Sequence, residues 1–356
     1  MNVNKSEGMP KGRLFHLDLL RAIACLSVVM IHVSAEFVIR GTTGPDFLLG
    51  NLADSLSRAG VPLFVMISGA LMLDEGYEFT RKKWLRHIGR MAAFYAVWST
   101  VYCIIFRVIG LVSRGEKVRM LGVFTQIISG HYHLWFVPMI IGLYLILPLL
   151  RLWVKEKNVR FVEYFLLLAA LFAFVVPQVM EILVNEIKAL KPIQTFWDNM
   201  NLQYTAGYTA YFILGWYLNR SFRRSWLACV LGIAGFAMTF AGTHIASVVL
   251  KMKSYPFYEN FTVNVLLYST AIFVLCRNRF AQGRQPGAVL RKTVGWIGKY
   301  SLGIYAVHVY FISKLMPLFG HLHAAIAIPL VFALTLITSA AASMVFSKIP
   351  LLKKIV

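Results

Sequence analysis

Apolar runs of about twenty residues, separated by short polar connections, recur along the chain from residue 15 onward. Each is long enough to cross the hydrocarbon core of a bilayer as a helix, at 1.5 Å of rise per residue. The pattern predicts ten transmembrane helices, near 15–39, 59–73, 88–110, 134–150, 161–178, 204–218, 226–244, 258–276, 299–316 and 324–346. The second is short, and the stretch 46–58 before it is expected to lie at the interface or to re-enter the membrane. No internal repeat, soluble domain or long Pro/Gly/Ser linker interrupts the series. The predicted fold is all-α: a polytopic integral membrane protein whose residues 1–356 form one bundle.

Composition agrees with a membrane class. The chain is 58% hydrophobic and 14% charged, against roughly 25% charged residues in soluble domains. Its net charge of +21 comes from 36 Lys and Arg against 15 Asp and Glu, a surplus that in a soluble protein would suggest nucleic acid. Here the cations concentrate in "RKKWLRHIGR" (81–90), "RLWVKEKNVR" (151–160), "NRSFRR" (219–224) and "RNRFAQGRQPGAVLRK" (277–292). With ten crossings, all of these and both termini fall on one side, as the positive-inside rule requires of the cytoplasmic face. The lipid bilayer is therefore the expected partner, and no nucleic acid is. The segments 111–133 and 179–203 become the longest extracytoplasmic loops, the first carrying Arg114, Lys117 and Arg119 against the rule. Cys25, Cys103, Cys229 and Cys276 all lie in apolar stretches and read as packing residues. The first apolar run, interrupted by Arg21, reads as a retained span and not a cleaved signal.

Candidate chemistry lies in the residues that do not belong in lipid. "LDLLRAIACLSVVMIHVSAEF" (17–37) holds Arg21 and His32 eleven positions apart, close to three full helical turns and about 16 Å along the axis. Asp18 and Glu36 share that face by their three- and four-residue spacing. Intramembrane ionisable groups normally face a cavity or the bundle interior. Snorkelling to the interface also accounts for Arg21, and an interhelical hydrogen bond for His32.

Other polar groups follow in three stretches. "SRAGVPLFVMISGALML" (57–73) carries Arg58, Pro62 and the pair Ser68-Gly69; proline breaks a helix and glycine allows close backbone approach. "GHYHLWFVPMIIGLYLILP" (130–148) places His131, His133 and Trp135 at the expected outer surface, where an aromatic belt explains Tyr132 and Trp135. No metal site is expected there, because two histidines without an acidic or thiol ligand make a poor one. "KYSLGIYAVHVYF" (299–311) places His308 about 15 Å into the ninth span, with Tyr305 on the same face and Ser301 and Gly303 as small packing residues.

Taken together, these stretches resemble the membrane-bound acyltransferase family 3, the O-acyltransferases that modify bacterial glycans. The resemblance rests on "RAIACLSVVMIH", with Arg21 and His32 at its ends, followed in order by "PLFVMISG", "HLWF" and "SLGIYAVH". It covers nearly the whole chain, and within the family it is strongest to the enterobacterial common antigen O-acetyltransferase type. Glu36, and Ala70 where many relatives have an aromatic residue, depart from the family pattern. The resemblance implies a bacterial inner-membrane enzyme with no permanently bound cofactor, acetyl-CoA as acyl donor, and a glycan or lipid-linked saccharide hydroxyl as acceptor. With that chemistry His32 is the candidate general base; by its spacing on the first span, and not by the resemblance, Glu36 is the candidate carboxylate to orient it, and Arg21 the candidate anchor of the coenzyme A phosphates. Arg58, Arg86, Arg90, Ser68 and Gly69 are the further expected donor-site residues, and His133, Trp135, Tyr305 and His308 the acceptor-site residues. Backbone amides at Ser68-Gly69 or the Tyr305 hydroxyl are the candidates for stabilising the oxyanion. Direct transfer and an acyl-histidine intermediate both stay open. A transporter or flippase for a lipid-linked sugar or small anion is the competing class, since transporters also keep charges at depth.

Overall fold

The computed structural model describes residues 14–41, 43–220, 224–251, 255–280, 286–350 and 352–355. Among these, every regular element is helical. In chain order the α-helices are α1 (Phe15–Ile39), α2 (Pro45–Ser57), α3 (Gly60–Met72), α4 (Arg81–Cys103) and α5 (Ile109–Ser113). Next come α6 (Met120–Ser129), α7 (Phe136–Trp153), α8 (Val159–Ala169), α9 (Val176–Glu186) and α10 (Lys191–Asn199). The series ends with α11 (Leu202–Arg220), α12 (Ser225–His244), α13 (Val263–Phe280), α14 (Ala288–Phe319) and α15 (Ala324–Phe346). Widened π-helical turns at Ile104–Val108 and Ala170–Val175 join α4 to α5 and α8 to α9, and a third, Ile245–Val249, extends α12.

Among the described residues, eight helical stretches are long and apolar enough to cross a membrane. The protein is a multi-pass membrane protein. The two expected spans outside that set are α11 and α13, whose polar residues dilute their hydropathy. Both are threaded through the bundle: Tyr211, Phe212 and Trp216 of α11 and Phe273 and Val274 of α13 belong to the largest core cluster. Glycine makes the α11 contact possible. A Cβ on Gly69 would stand 1.7 Å from the Phe212 carbonyl oxygen, and one on Gly215 1.9 Å from that of Met66. The α3 and α11 backbones therefore touch at both glycines, the kind of packing that drives helix association in lipid.

The second crossing corrects the expected short span. Residues 46–58 form α2, which with α3 makes one 28-residue stretch, Pro45–Met72, long and apolar enough to cross a membrane and interrupted at Arg58 and Ala59. Pro62 has no N–H to give the Arg58 carbonyl, and regular bonding resumes with Leu63 N to Ala59 O at 3.0 Å.

The segment 111–133 is not a plain loop either. Inside it, α6 folds back along α4: the Ser99 hydroxyl donates to the Ile127 carbonyl at 2.5 Å and the Tyr95 hydroxyl to that of Ile128 at 2.7 Å. Gly130, at φ 73°, ends this returning helix. The segment 179–203 likewise holds the end of α9 and all of α10.

The basic segments gather at one end. Arg220 pairs with Asp74 and Glu156, and Arg151 donates to the carbonyls of Met72, Asp74 and Tyr77. Arg277 reaches the Asn219 carbonyl at 2.8 Å, and the Asn219 side chain meets His16 at 2.8 Å. At the opposite end Arg40 binds the Gly320 carbonyl and Asp46 accepts the Ala324 amide. The part of "NRSFRR" at 221–223, residues 281–285, and the N-terminal Lys5, Lys11 and Arg13 lie outside the described residues.

Candidate active site

The first helix presents one polar face to the interior. Arg21, Val28 and His32, at helical spacing on α1, line a single cavity of about 240 Å³. Val61, Phe64 and Ser68 of α3 form a second wall, Phe136 and Tyr144 of α7 a third, and Ser301, Leu302 and Tyr305 of α14 a fourth. His133 and Trp135, from the short 3-10 turn Tyr132–Trp135, complete the lining. Most of the wall is apolar, with a few convergent polar groups, which is the usual make-up of a small-molecule site.

The polar groups are graded along the cavity. Arg21, paired with Asp18 at 3.2 Å, lies nearer the basic end. The Tyr144 hydroxyl lies against Ser68, within electrostatic reach of both Arg21 and Arg90. About 16 Å further along α1, at 1.5 Å per residue, His32 meets a cluster of imidazoles. Its ring lies 5.1 Å from that of His308 and 5.6 Å from Tyr132; His133 is 5.4 Å from His308 and 5.1 Å from His131. Tyr305 ties the cluster together, its hydroxyl donating to the His133 carbonyl at 2.6 Å while its own carbonyl faces His308 Nδ1 at 2.8 Å. A carbonyl only accepts, so Nδ1 of His308 carries the proton. Nε2 of His308 then carries a lone pair, buried without a partner among the described residues.

The family model described as an acyltransferase domain matches residues 15–348. The chain belongs to acyltransferase family 3. It is a membrane acyltransferase, and the transporter alternative falls away. No curated protein and no solved structure matches it.

Several expected residues of the acyltransferase stand elsewhere. Glu36 is exposed, lines no part of the cavity and makes no hydrogen bond to His32 among the described residues; the ring against His32 is His308. Gly69 faces α11 and not the cavity, because α3 needs that flank for backbone packing. The amides at 68 and 69 lie inside α3, where carbonyls of the preceding turn accept them. Arg58 is held by buried Asp54, the Tyr258 carbonyl at 3.1 Å and the Tyr258 ring at 3.9 Å, so its guanidinium is already engaged outside the cavity. Arg86 and Arg90 are exposed on α4 and line no wall.

His308 is fully buried and sits behind the cavity wall, supporting His32 and His133. The Tyr305 hydroxyl is committed to His133, so it is a poor oxyanion donor. His133 is 2% exposed, inside the bundle and not at an outer surface, because α6 returns the chain inward before α7 begins. His131 and His133, whose spacing suits a strand better than a helix face, do meet, Nδ1 to Nδ1 at 2.9 Å, because His131 is extended where the 3-10 turn starts. Tyr144 and Ser301 escaped notice as site residues; a lone tyrosine hydroxyl within the apolar run of α7 was the available signal.

Proposed function

We propose that this acyltransferase transfers an acyl group, acetyl in the simplest case, from cytoplasmic acetyl-CoA to a hydroxyl of a bacterial cell-surface glycan or its lipid-linked precursor. The observation that carries the reading is that Arg21 and His32 open onto the same cavity. In this reading Arg21, with Arg90 at the approach, holds the coenzyme A phosphates, for which a guanidinium fork is suited. The pantetheine arm runs past Ser68 and Tyr144 toward His32.

His32 takes the proton of the acceptor hydroxyl, whose oxygen attacks the thioester carbonyl. The C–S bond breaks, coenzyme A leaves as thiolate, and the imidazolium returns the proton to it. His308, whose ring lies 5.1 Å from that of His32, orients it by packing, where a carboxylate does so by hydrogen bonding in many other sites. The indole N–H of Trp135, which lines the cavity and has no hydrogen-bond partner among the described residues, is the donor offered to the oxyanion. The basic end faces the cytoplasm of the inner membrane, in keeping with the positive-inside rule. The enterobacterial common antigen is the first acceptor to try, on the resemblance of "SRAGVPLFVMISG", "YHLWF" and "SLGIYAVH".

The test is mass spectrometry of surface glycans from cells carrying the wild-type gene, His32→Ala, or no gene. An acetyl-mass increment present only with the wild type supports the reading. Identical glycans in all three strains reject it.

A further inference from the structure

A second cavity, of about 250 Å³, lies between α9 and α10 at the end opposite the basic segments. It shares no lining residue with the Arg21–His32 cavity. The π-helical turn Ala170–Val175 widens the chain just before Pro177 and places Phe172 on the wall. The Trp197 ring lies 5.6 Å from Phe172, so two aromatic rings form one side. The other side is made of acceptors. Glu181 and Asp198 line it, with no ion pair to either among the described residues, and Gln194 Oε1 is buried with no hydrogen-bond partner. The two carboxylates accept and do not donate, so this wall suits a ligand rich in donors.

The cavity is separate from the catalytic one. Phe174, two residues beyond Phe172, lies 6.0 Å from Phe261; Phe261 lies 4.6 Å from Tyr208, and Tyr208 lies 5.8 Å from Trp135 on the catalytic wall. Packed rings of the core, and no open passage among the described residues, thus lie between the two cavities.

We propose that the α9–α10 cavity is a saccharide subsite, holding a hydroxyl-rich sugar residue of the acceptor chain apart from the residue whose hydroxyl is acylated. The inference rests on the proposed glycan acceptor and deepens it. Sugar hydroxyls donate to Glu181 and Asp198, the Gln194 side-chain amide N–H₂ donates to a sugar oxygen, and the apolar face of the ring lies on Trp197. Two carboxylates in the wall favour a neutral sugar over a uronate or a phosphorylated one at this position. The volume is below the roughly 300–1,000 Å³ of drug-sized pockets, which suits a single sugar residue.

The test uses full-length protein in lipid nanodiscs and, as probe, surface polysaccharide extracted from the same cells and stripped of O-acyl esters with mild alkali. Binding is followed by biolayer interferometry for the wild type, His32→Ala, Gln194→Leu, Glu181→Gln and Trp197→Ala. Wild type and His32→Ala should bind alike. The three cavity variants should bind about tenfold more weakly, a loss of about 1.4 kcal/mol each, with unchanged melting temperatures. Gln194→Leu and Glu181→Gln keep side-chain volume, so their binding remains informative if Trp197→Ala unfolds. Wild-type binding by folded cavity variants overturns the proposal. So does absence of wild-type binding, or its displacement by tetramethylammonium chloride but not by equal sodium chloride, which would mark an amine site. Failure of the acyltransferase reading looks different: the wild type binds the polysaccharide but transfers no acetyl group to it from acetyl-CoA.

Discussion

At the scale of single residues, the imidazole cluster decides how His32 is held. Glu36 is the nearest carboxylate by helical spacing, yet the side chain points out and the groups against His32 are His308 and Tyr132. Glu36→Gln should therefore leave kcat for acyl transfer within about twofold of the wild type, since surface changes away from special features act weakly. His32→Ala should lower kcat by about 10²–10⁴, the usual worth of a positioned general base. His308→Ala should fall between these and act on kcat with KM for acetyl-CoA unchanged, because His308 touches His32 and lines no wall. A Glu36→Gln variant as damaged as His32→Ala would return the orienting role to the carboxylate. Arg21→Lys separates binding from chemistry. It keeps the charge near Asp18 but loses the bidentate fork, so KM for acetyl-CoA should rise about tenfold with kcat little changed; equal KM values would remove Arg21 from the donor site.

At the scale of helices, the pair Gly69 and Gly215 determines how closely α3 and α11 approach. Neither backbone can retreat without disturbing Leu63, Met66 and Phe212, all fully buried. Gly69→Ala should cost at least the 1–3 kcal/mol typical of overpacking and lower the melting temperature in detergent. Gly89→Ala, where an added Cβ meets nothing within 4 Å, should not. Equal melting of the two variants would mean that α3 and α11 are not in backbone contact. The orientation of this pair is not encoded in the local sequence pattern. "ISG" offers a small residue at mid-membrane but not the direction in which it faces; only the rotation of α3, set by α11, turns Ser68 to the cavity and Gly69 away. The face of α1 was legible because Arg21 and His32 are too polar for lipid and repeat at helical spacing. Tyr144 and Ser301 carried no such contrast, since one tyrosine or serine in an apolar run fits packing equally well. The return of α6 was hidden for another reason. Its ten residues are too few to span, and its course along α4 depends on contacts from Ser99 and Tyr95 that no local pattern announces.

At the scale of the whole molecule, contacts at the helix ends give every crossing but that of α4 and α5 a relative direction. The starts of α1, α8 and α12 and the ends of α3, α7, α11 and α13 meet through His16, Arg151, Arg220, Arg277 and Asn278. The ends of α1 and α14 and the starts of α2 and α15 meet through Arg40, Asp46 and Gly320. Ten alternating crossings satisfy both sets, with α2 and α3 counted as one and α6 as a return that does not cross. Of the three cations that run against the charge rule, Arg114, Lys117 and Arg119, Arg114 is paired with Glu116 at 2.5 Å. This topology makes a sharp prediction, because Lys157 and Lys191 are both exposed and lie on either side of the single crossing formed by α8 and α9. In a background without the native cysteines, Lys191→Cys, Glu116→Cys and His323→Cys should react with a membrane-impermeant maleimide on intact spheroplasts. Lys157→Cys should react only after the membrane is opened. Labelling of positions 157 and 191 from the same side would remove the α8–α9 crossing. The α9–α10 cavity would then lie on the same side as the donor entrance, and donor and acceptor would no longer approach Arg21 and His32 from opposite ends of the bundle.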